Sequence, residues 1–438
     1  MQQNKIKKIT KIISKDIRQA KKGVAENIKA LGPGLITGAA DDDPSGVVTY
    51  TTIGAQFGYQ LSWLALFSLP LMIAIQEMCA RIGAVTGQGL AGVLKNYYSR
   101  WILYFSVLML LIANGINIGA NLGALAAVAQ LVLGGRSFAV YTLVFVIITL
   151  LLEIFISYKV YVHYLKWLTL SLLAYAITAV IVHHEGRELL RFTFLPTLDW
   201  GRLVILGLIA FLGTTISPYL FFWQASSEVE EEIKERKISG FGEKRPRVGK
   251  RFLRLIQKDV ILGMFFSNLV AYFIMITAAA TLFRAGISDI NSAADAARAL
   301  EPLGGKLASF LFALGIIGTG LLGIPVLAGS AAYAVAEVFG WKEGLYQKLD
   351  EAKGFYGIII LSTLVGLFIN FVGISPMKAL YFAAVVNGII ASPLILIILL
   401  VANNKKIMGK HNNKFWSNLL GILTFILMTL AIVLLLLL

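Results

Sequence analysis

The chain has 438 residues, of which 58% are hydrophobic and only 14% charged, and its formal net charge is +15. Soluble domains carry about 25% charged residues, so a water-soluble enzyme or binding module is excluded, and four His with a single Cys exclude a His/Cys metal cage. Long, continuously apolar runs and a mean hydropathy of +0.77 predict an all-α integral membrane protein, because helices satisfy their own backbone in lipid.

The first segment, residues 1–29, is basic and polar and lacks the short apolar core of a signal peptide. It reads as a cytoplasmic N-terminus. Eleven apolar stretches of spanning length follow, centred near residues 45, 72, 118, 148, 174, 214, 271, 320, 364, 390 and 426. With the N-terminus inside, the inner segments hold 31 of the 39 Lys and Arg residues. That asymmetry sets the orientation and puts the C-terminus outside. The positive charge therefore faces an anionic leaflet, and no nucleic-acid partner is expected. The expected location is the plasma or inner cell membrane, with the bilayer and a metal ion as partners.

Span 1 carries the most informative feature: Asp41-Asp42-Asp43-Pro44-Ser45-Gly46, inside an otherwise apolar segment. A spanning helix needs roughly 20 residues, and neither flank reaches that alone. A carboxylate at mid-bilayer costs on the order of 2.5–3.5 kcal/mol even on the lenient insertion scale, so three in a row call for a cation. Consecutive residues on a regular helix point about 100° apart; an unwound segment lets two of them converge. Asp43, biased to an extended conformation by Pro44, is the first ligand candidate and Asp42 the second. Asp41 is assigned a capping or vestibule role.

Span 2 contains Gln76, Glu77 and Arg81, the last two spaced to pair on one face, and Cys79, read as a small buried apolar residue. Span 3 carries Asn114, Asn117 and Asn121 at near-helical spacing and no acid. These asparagines line the pathway or join helices through hydrogen bonds. Glu153 in span 4 and Glu337 near the end of span 8 are read as boundary or helix-contact residues in preference to ion relays.

Span 6 is broken at Gly213-Thr214-Thr215-Ile216-Ser217-Pro218-Tyr219. Pro218 removes a backbone donor, so the carbonyls of Thr214 and Thr215, together with the Ser217 hydroxyl, are candidate donors. Asn387 in span 10 adds a candidate amide oxygen, and Gly46, Tyr219, Asn117 and Asn121 are candidate pathway residues. Interrupted helices at matching positions mark the site of transporters with inverted repeats. Five spans separate the two breaks, which predicts a 5+5 inverted repeat: 30–184, then 202–402 with a cytoplasmic connector at 226–258, then a loop and helix 11 at 403–438. Glu228 to Glu232, at the start of the connector, read as a solvated helix end. An Ala-rich stretch within 284–306 reads as a short helix over the outer vestibule.

At these residues the sequence resembles the Nramp family of divalent metal transporters. Gly32-Pro33-Gly34, Asp43-Pro44 and Gly54-Ala55-Gln56-Phe57-Gly58-Tyr59 are similar to the family's first helix. Arg81-Ile82-Gly83-Ala84-Val85-Thr86-Gly87 is similar to the end of its second, and Leu300-Glu301-Pro302-Leu303-Gly304 to its external loop before span 8. The resemblance implies a LeuT-type bundle of eleven or twelve helices that holds the metal between helices 1 and 6. The chain departs from the family at three places. Asp-Pro-Gly-Asn reads Asp43-Pro44-Ser45-Gly46, Met-Pro-His reads Ser217-Pro218-Tyr219, and span 3 lacks the acids of the proton route. That pattern is closer to the Nramp-related magnesium transporters.

The expected function is thus alternating-access transport of hard divalent cations such as Mg2+ or Mn2+, with weak or absent proton coupling and no cofactor beyond the transported ion. Two alternatives stay open: a proton-coupled Mn2+/Fe2+ importer, and an amine or amino-acid carrier of the same fold. An enzyme is not expected, since no nucleophile–base set, phosphate loop or His-metal motif is present.

Overall fold

In the computed structural model, residues 32–135, 137–156, 167–196, 201–243, 245–288, 301–371 and 376–437 are described, with residues 160, 164 and 297 standing alone between them. The basic segment 1–29 and, apart from residue 297, residues 289–300 of the external stretch lie outside the described residues. The helices are α1 (Pro33–Asp41), α2 (Pro44–Phe57), α3 (Trp63–Thr86), α4 (Leu90–Tyr97), α5 (Arg100–Leu133), α6 (Phe138–Phe155), α7 (Leu173–Ile181), α8 (Gly186–Phe194), α9 (Arg202–Thr215), α10 (Pro218–Lys234), α11 (Lys250–Ala278), α12 (Glu301–Phe339), α13 (Lys353–Ile369), α14 (Pro376–Asn403) and α15 (Phe415–Leu437).

Among the described residues, eight helices are long and apolar enough to cross a membrane, counting Arg202–Lys234 as one. The shorter apolar helices Thr169–Ile181 and Lys353–Ile369 and the broken pair α1–α2 fall on the remaining expected spans. The fold is the LeuT-like all-α bundle with broken first and sixth spans. Span 1 packs on span 7 (α1 and α2 against α11), and span 6 packs on span 2 (α10 against α3). Exchanging the two repeats maps one pair onto the other, as a two-fold relation requires. Span 3 packs on span 8 (α5 against α12), a pair that maps onto itself.

The α1–α11 contact is built by small residues. A Cβ on Gly38 would sit 2.2 Å from the Gly263 carbonyl oxygen, and one on Gly263 would sit 2.0 Å from that of Gly34. Only bare backbone allows this approach, which is how membrane helices gain dispersion contact without a hydrophobic driving force. Asp259 of α11 then clamps the start of α1. Its Oδ1 accepts from the Gly32 N–H at 2.8 Å and its Oδ2 from the Gly34 N–H at 2.7 Å, so a carboxylate meets two orphan donors at a helix N-terminus.

Glu77 and Arg81 form the expected pair, at 2.9 Å, and Cys79 is buried as a free thiol. The expectation for Glu228–Glu232 is corrected: Glu228, Glu230 and Glu232 are buried, because α10 runs between α3 and α12 to its end. Glu230 Oε1 accepts from the Tyr333 hydroxyl at 2.5 Å and from the Leu345 N–H at 2.6 Å. It thereby fastens the loop after α12, and the acids are internal ties instead of a solvated end.

Asp259→Ala leaves the Gly32 and Gly34 N–H groups without their acceptor. A loss of stability of about 1.5–3 kcal/mol is expected for hydrogen bonds to a charged group. Thermal unfolding in detergent checks this, with Asp259→Asn, which keeps one acceptor, falling between the variant and the parent.

Candidate functional site

The two breaks share one design. After α1, Asp42 leaves helical geometry (φ −88°, ψ 37°) and Asp43 is extended (φ −62°, ψ 170°) before α2 opens on Pro44. After α9, Ile216 (φ −122°, ψ 59°) and Ser217 (φ −83°, ψ 137°) play the same parts before α10 opens on Pro218. Each proline stands at the first helical position, where its missing N–H and fixed φ cost nothing. The prolines therefore start half-helices; they do not kink continuous ones.

The breaks meet each other. The Tyr219 hydroxyl donates to the Ala40 carbonyl at 2.7 Å, joining the end of α1 to the start of α10. Ser45 Oγ and Thr214 Oγ1 lie 3.5 Å apart, joining α2 to α9. Gly46 is required where it stands, since a Cβ there would lie 2.9 Å from the Asp41 carbonyl oxygen.

The three aspartates, all buried, divide their roles. Asp43 caps α2: its Oδ1 accepts from the Gly46 N–H at 3.0 Å and its Oδ2 from Asn121 Nδ2 at 2.8 Å. Asn121 Oδ1 in turn accepts from the Ser45 N–H at 3.1 Å. Asp41 Oδ2 accepts from the Ser267 hydroxyl at 2.7 Å, while its Oδ1 has no partner. Asp42 has no hydrogen-bond partner on either oxygen. Asp41, expected to cap a half-helix or line a vestibule, does not cap α2; Asp43 does, and Asp42 is left as the carboxylate with both oxygens open.

Of the span-6 candidates, the Ser217 hydroxyl donates to the carbonyls of Gly213 and Thr214, both at 2.7 Å. Thr215 Oγ1 donates to the Phe211 carbonyl at 3.0 Å. Their oxygens keep lone pairs, and Pro218 supplies no N–H to the Thr214 carbonyl. Asn117 Nδ2 donates to Asn387 Oδ1 at 3.1 Å, leaving Asn117 Oδ1 and Asn387 Nδ2 buried without partners. Asn114 Nδ2 donates to the Leu327 carbonyl and to Ser330, each at 2.8 Å. The span-3 asparagines thus tie α5 to α2, α12 and α14.

Sequence reasoning missed Ser267, Asp259 and Tyr50, whose hydroxyl is buried without a partner. The polar pair Ser267-Asn268 in an apolar span was the available signal for the first.

Electrostatics gives the site its sign. None of the three aspartates forms an ion pair among the described residues, although each buried charge costs several kcal/mol to desolvate. The C-terminal ends of α1 and α9, which carry partial negative charge, lie at the breaks, and Asp43 already answers the positive end of α2. Among the described residues no group of three or more His, Cys, Asp or Glu side chains is placed to hold a metal ion. A cation here would draw on carbonyl, hydroxyl and amide oxygens beside one or two carboxylates.

A family model described as Natural resistance-associated macrophage protein-like (Nramp) matches residues 34–438. The chain belongs to the Nramp family. This Nramp chain is 25% identical over 444 residues to the divalent metal cation transporter MntH of Clostridium acetobutylicum, covering 93% of this chain and 89% of that one. The manganese transporter of Eremococcus coleocola shares the fold at a TM-score of 0.71 and 17% identity, over 92% of this chain and 85% of the other. The nucleobase-cation-symport-1 family transporter Mhp1, in a closed conformation, aligns at a TM-score of 0.58 and 12% identity, over 93% and 92%.

Asn121→Ala removes the amide that holds both Asp43 and the Ser45 N–H, leaving two buried groups unpaired. Each costs about 1–3 kcal/mol, so a clear drop in thermal stability is expected. Asn114→Ala, which touches neither break, should leave the metal response of that stability intact.

Proposed function

We propose that this divalent metal transporter of the Nramp family carries hard cations, Mg2+ or Mn2+, across the cell membrane by alternating access, with weak or absent proton coupling. The observation that supports this best is Asp42, a buried carboxylate with two unpartnered oxygens at the carbonyl end of the broken first helix. Asp42, the free Oδ1 of Asp41 and the carbonyl oxygens of Thr214 and Thr215 form an all-oxygen set, with Ser217 as a further hydroxyl. Such donors suit Mg2+, Mn2+ or Ca2+. Ser217 and Tyr219 stand where the family resemblance expects Met and His, so no soft or imidazole ligand comes from α10. Asp43 acts as a positioning residue that fixes the break and leaves ligation to its neighbours.

Alternating access needs an element that closes one side of the site. Helix α1 serves as the inner one in this reading: Asp259 holds its first turn and Tyr219 its last, and its short length lets it move as a unit. The N-terminus lies in the cytoplasm and the repeats run 30–184 and 202–402. Weak proton coupling is favoured by the asparagine side chains of span 3, which do not titrate in the physiological range. A second reading, proton-coupled Mn2+ import, is favoured by Glu153, buried with both oxygens unpartnered.

Uptake into proteoliposomes loaded with Mg2+- or Mn2+-sensitive dyes separates the two. Entry of Mg2+ indifferent to a pH gradient, and reduced at least tenfold by Asp42→Asn, is expected. Entry of Mn2+ alone, following the gradient and slowed by Glu153→Gln, supports the second reading.

A further inference from the structure

Away from the broken helices, a cavity of about 520 Å3 opens between α3, the start of α11 and the segment that leads into α15. Five of its lining residues are basic: Arg81, Lys250, Arg254, Lys410 and Lys414. The single acid in the wall, Glu77, is already paired with Arg81. None of the other four cations forms an ion pair among the described residues.

Arg81 builds the wall. Its guanidinium is nearly buried, takes both oxygens of Glu77 at 2.9 and 3.1 Å, and donates to the His411 carbonyl at 2.5 Å and to Asn413 Oδ1 at 2.6 Å. The segment carrying Lys410 and Lys414 is thereby fixed to α3 in a defined place. Four exposed cations on that frame concentrate positive charge at the mouth of the cavity. The field reaches His411: burial, then Lys410 and Arg81, hold its imidazole below the ordinary histidine range.

Two helix N-termini add to the same sign. The 29-residue α11 starts at Lys250 with no side-chain cap, and the 23-residue α15 starts at Phe415 beside Lys414. Unpaired first-turn N–H groups and the helix dipole favour an anion there. Phe415 and Trp416, packed edge to face at 5.4 Å, are 71% and 70% exposed. Exposed aromatics at the end of a spanning helix mark the interfacial layer of a bilayer, which puts the mouth of the cavity at headgroup depth. All four unpaired cations lie in segments that the charge asymmetry assigns to the cytoplasmic side.

We infer that this cavity is a binding site for a phosphate group, held by Lys250, Arg254, Lys410 and Lys414 on the frame set by Arg81. Arg254 offers the planar fork that fits phosphate oxygens and the lysines add point charges. The phosphate comes from an anionic phospholipid of the inner leaflet or from a soluble phosphate compound. In the first case the acyl chains lie along α15 and α11. Only the assignment to the inner leaflet rests on the orientation proposed above; the identity of the transported metal plays no part. An occupant here bridges α3, α11 and α15, and so couples lipid composition to the helix that carries Asp259.

The test uses the full chain, delipidated in detergent and examined by native mass spectrometry with dioleoyl phosphatidylglycerol or dioleoyl phosphatidylcholine, with and without millimolar pyrophosphate. Retention of phosphatidylglycerol at least tenfold tighter than phosphatidylcholine is expected, with at least a tenfold loss in the triple variant Lys250→Gln/Arg254→Gln/Lys414→Gln. Displacement of the lipid by pyrophosphate, or binding of pyrophosphate alone, supports the site and assigns it a soluble phosphate as well. Persistence of the lipid under pyrophosphate assigns it to the membrane. Equal retention of the two lipids with no pyrophosphate binding, or a triple variant indistinguishable from the parent, overturns the proposal. The substituted residues are exposed, so the variant is expected to fold, and its melting shift with Mg2+ reports on the transport site independently.

Discussion

Asp43 determines what the rest of the crossing does. By accepting from Gly46 on one oxygen and from Asn121 on the other, it ends the non-helical step and starts α2. It also pins span 1 to span 3. Its negative charge is answered by the N-terminal dipole of α2, whereas Asp42, at the C-terminal end of α1, has neither a hydrogen bond nor an ion pair among the described residues. On the proposed reading a cation is drawn to Asp42 because the neighbouring Asp43 is already satisfied by the Gly46 N–H and Asn121. The same arrangement explains why Gly323 lies opposite, where a Cβ would come within 2.7 Å of the Asp43 Cβ.

Helix α1 is short, and it is held at both ends by contacts that a small motion breaks: Asp259 at its start, and the Tyr219 hydroxyl at its end. Between them, its glycine face lies on α11 at backbone contact, and the Ser267 hydroxyl of α11 donates to Asp41 in its last turn. On the proposed reading such an element moves as a unit between docked and released positions. In the same reading a cation at Asp42 sits on the residue that terminates this helix, so binding and release act on it directly.

Much of this was legible in the sequence because membrane chains advertise their constraints. The apolar runs gave the spans, and Asp43-Pro44 and Ser217-Pro218 gave both breaks. The division of labour among the aspartates was not legible, since it depends on where Asn121 lies, 78 residues away. Asp259 was likewise hidden: near the end of a basic segment it looks like an ordinary boundary acid until α1 is folded against it. The glutamates of α10 misled for a related reason. A charge-rich helix end reads as solvated, but this one is enclosed, and Glu230 meets donors from Tyr333 and Leu345 that lie more than 100 residues on. Asn117 and Asn387 each suggested a polar role, and only the fold shows that they pair with each other.

Placing a metal ion in the crossing tests the central claim most directly. Diffraction from crystals grown with Mn2+, recorded at the manganese edge, locates the ion by its anomalous signal. The account predicts a peak at coordination distance, about 2.0–2.6 Å for hard cations on oxygen, from the Asp42 carboxylate, with Asp43 still bonded to Gly46 and Asn121. A peak that bypasses Asp42, or one that draws Asp43 out of its cap and into the coordination shell, contradicts it.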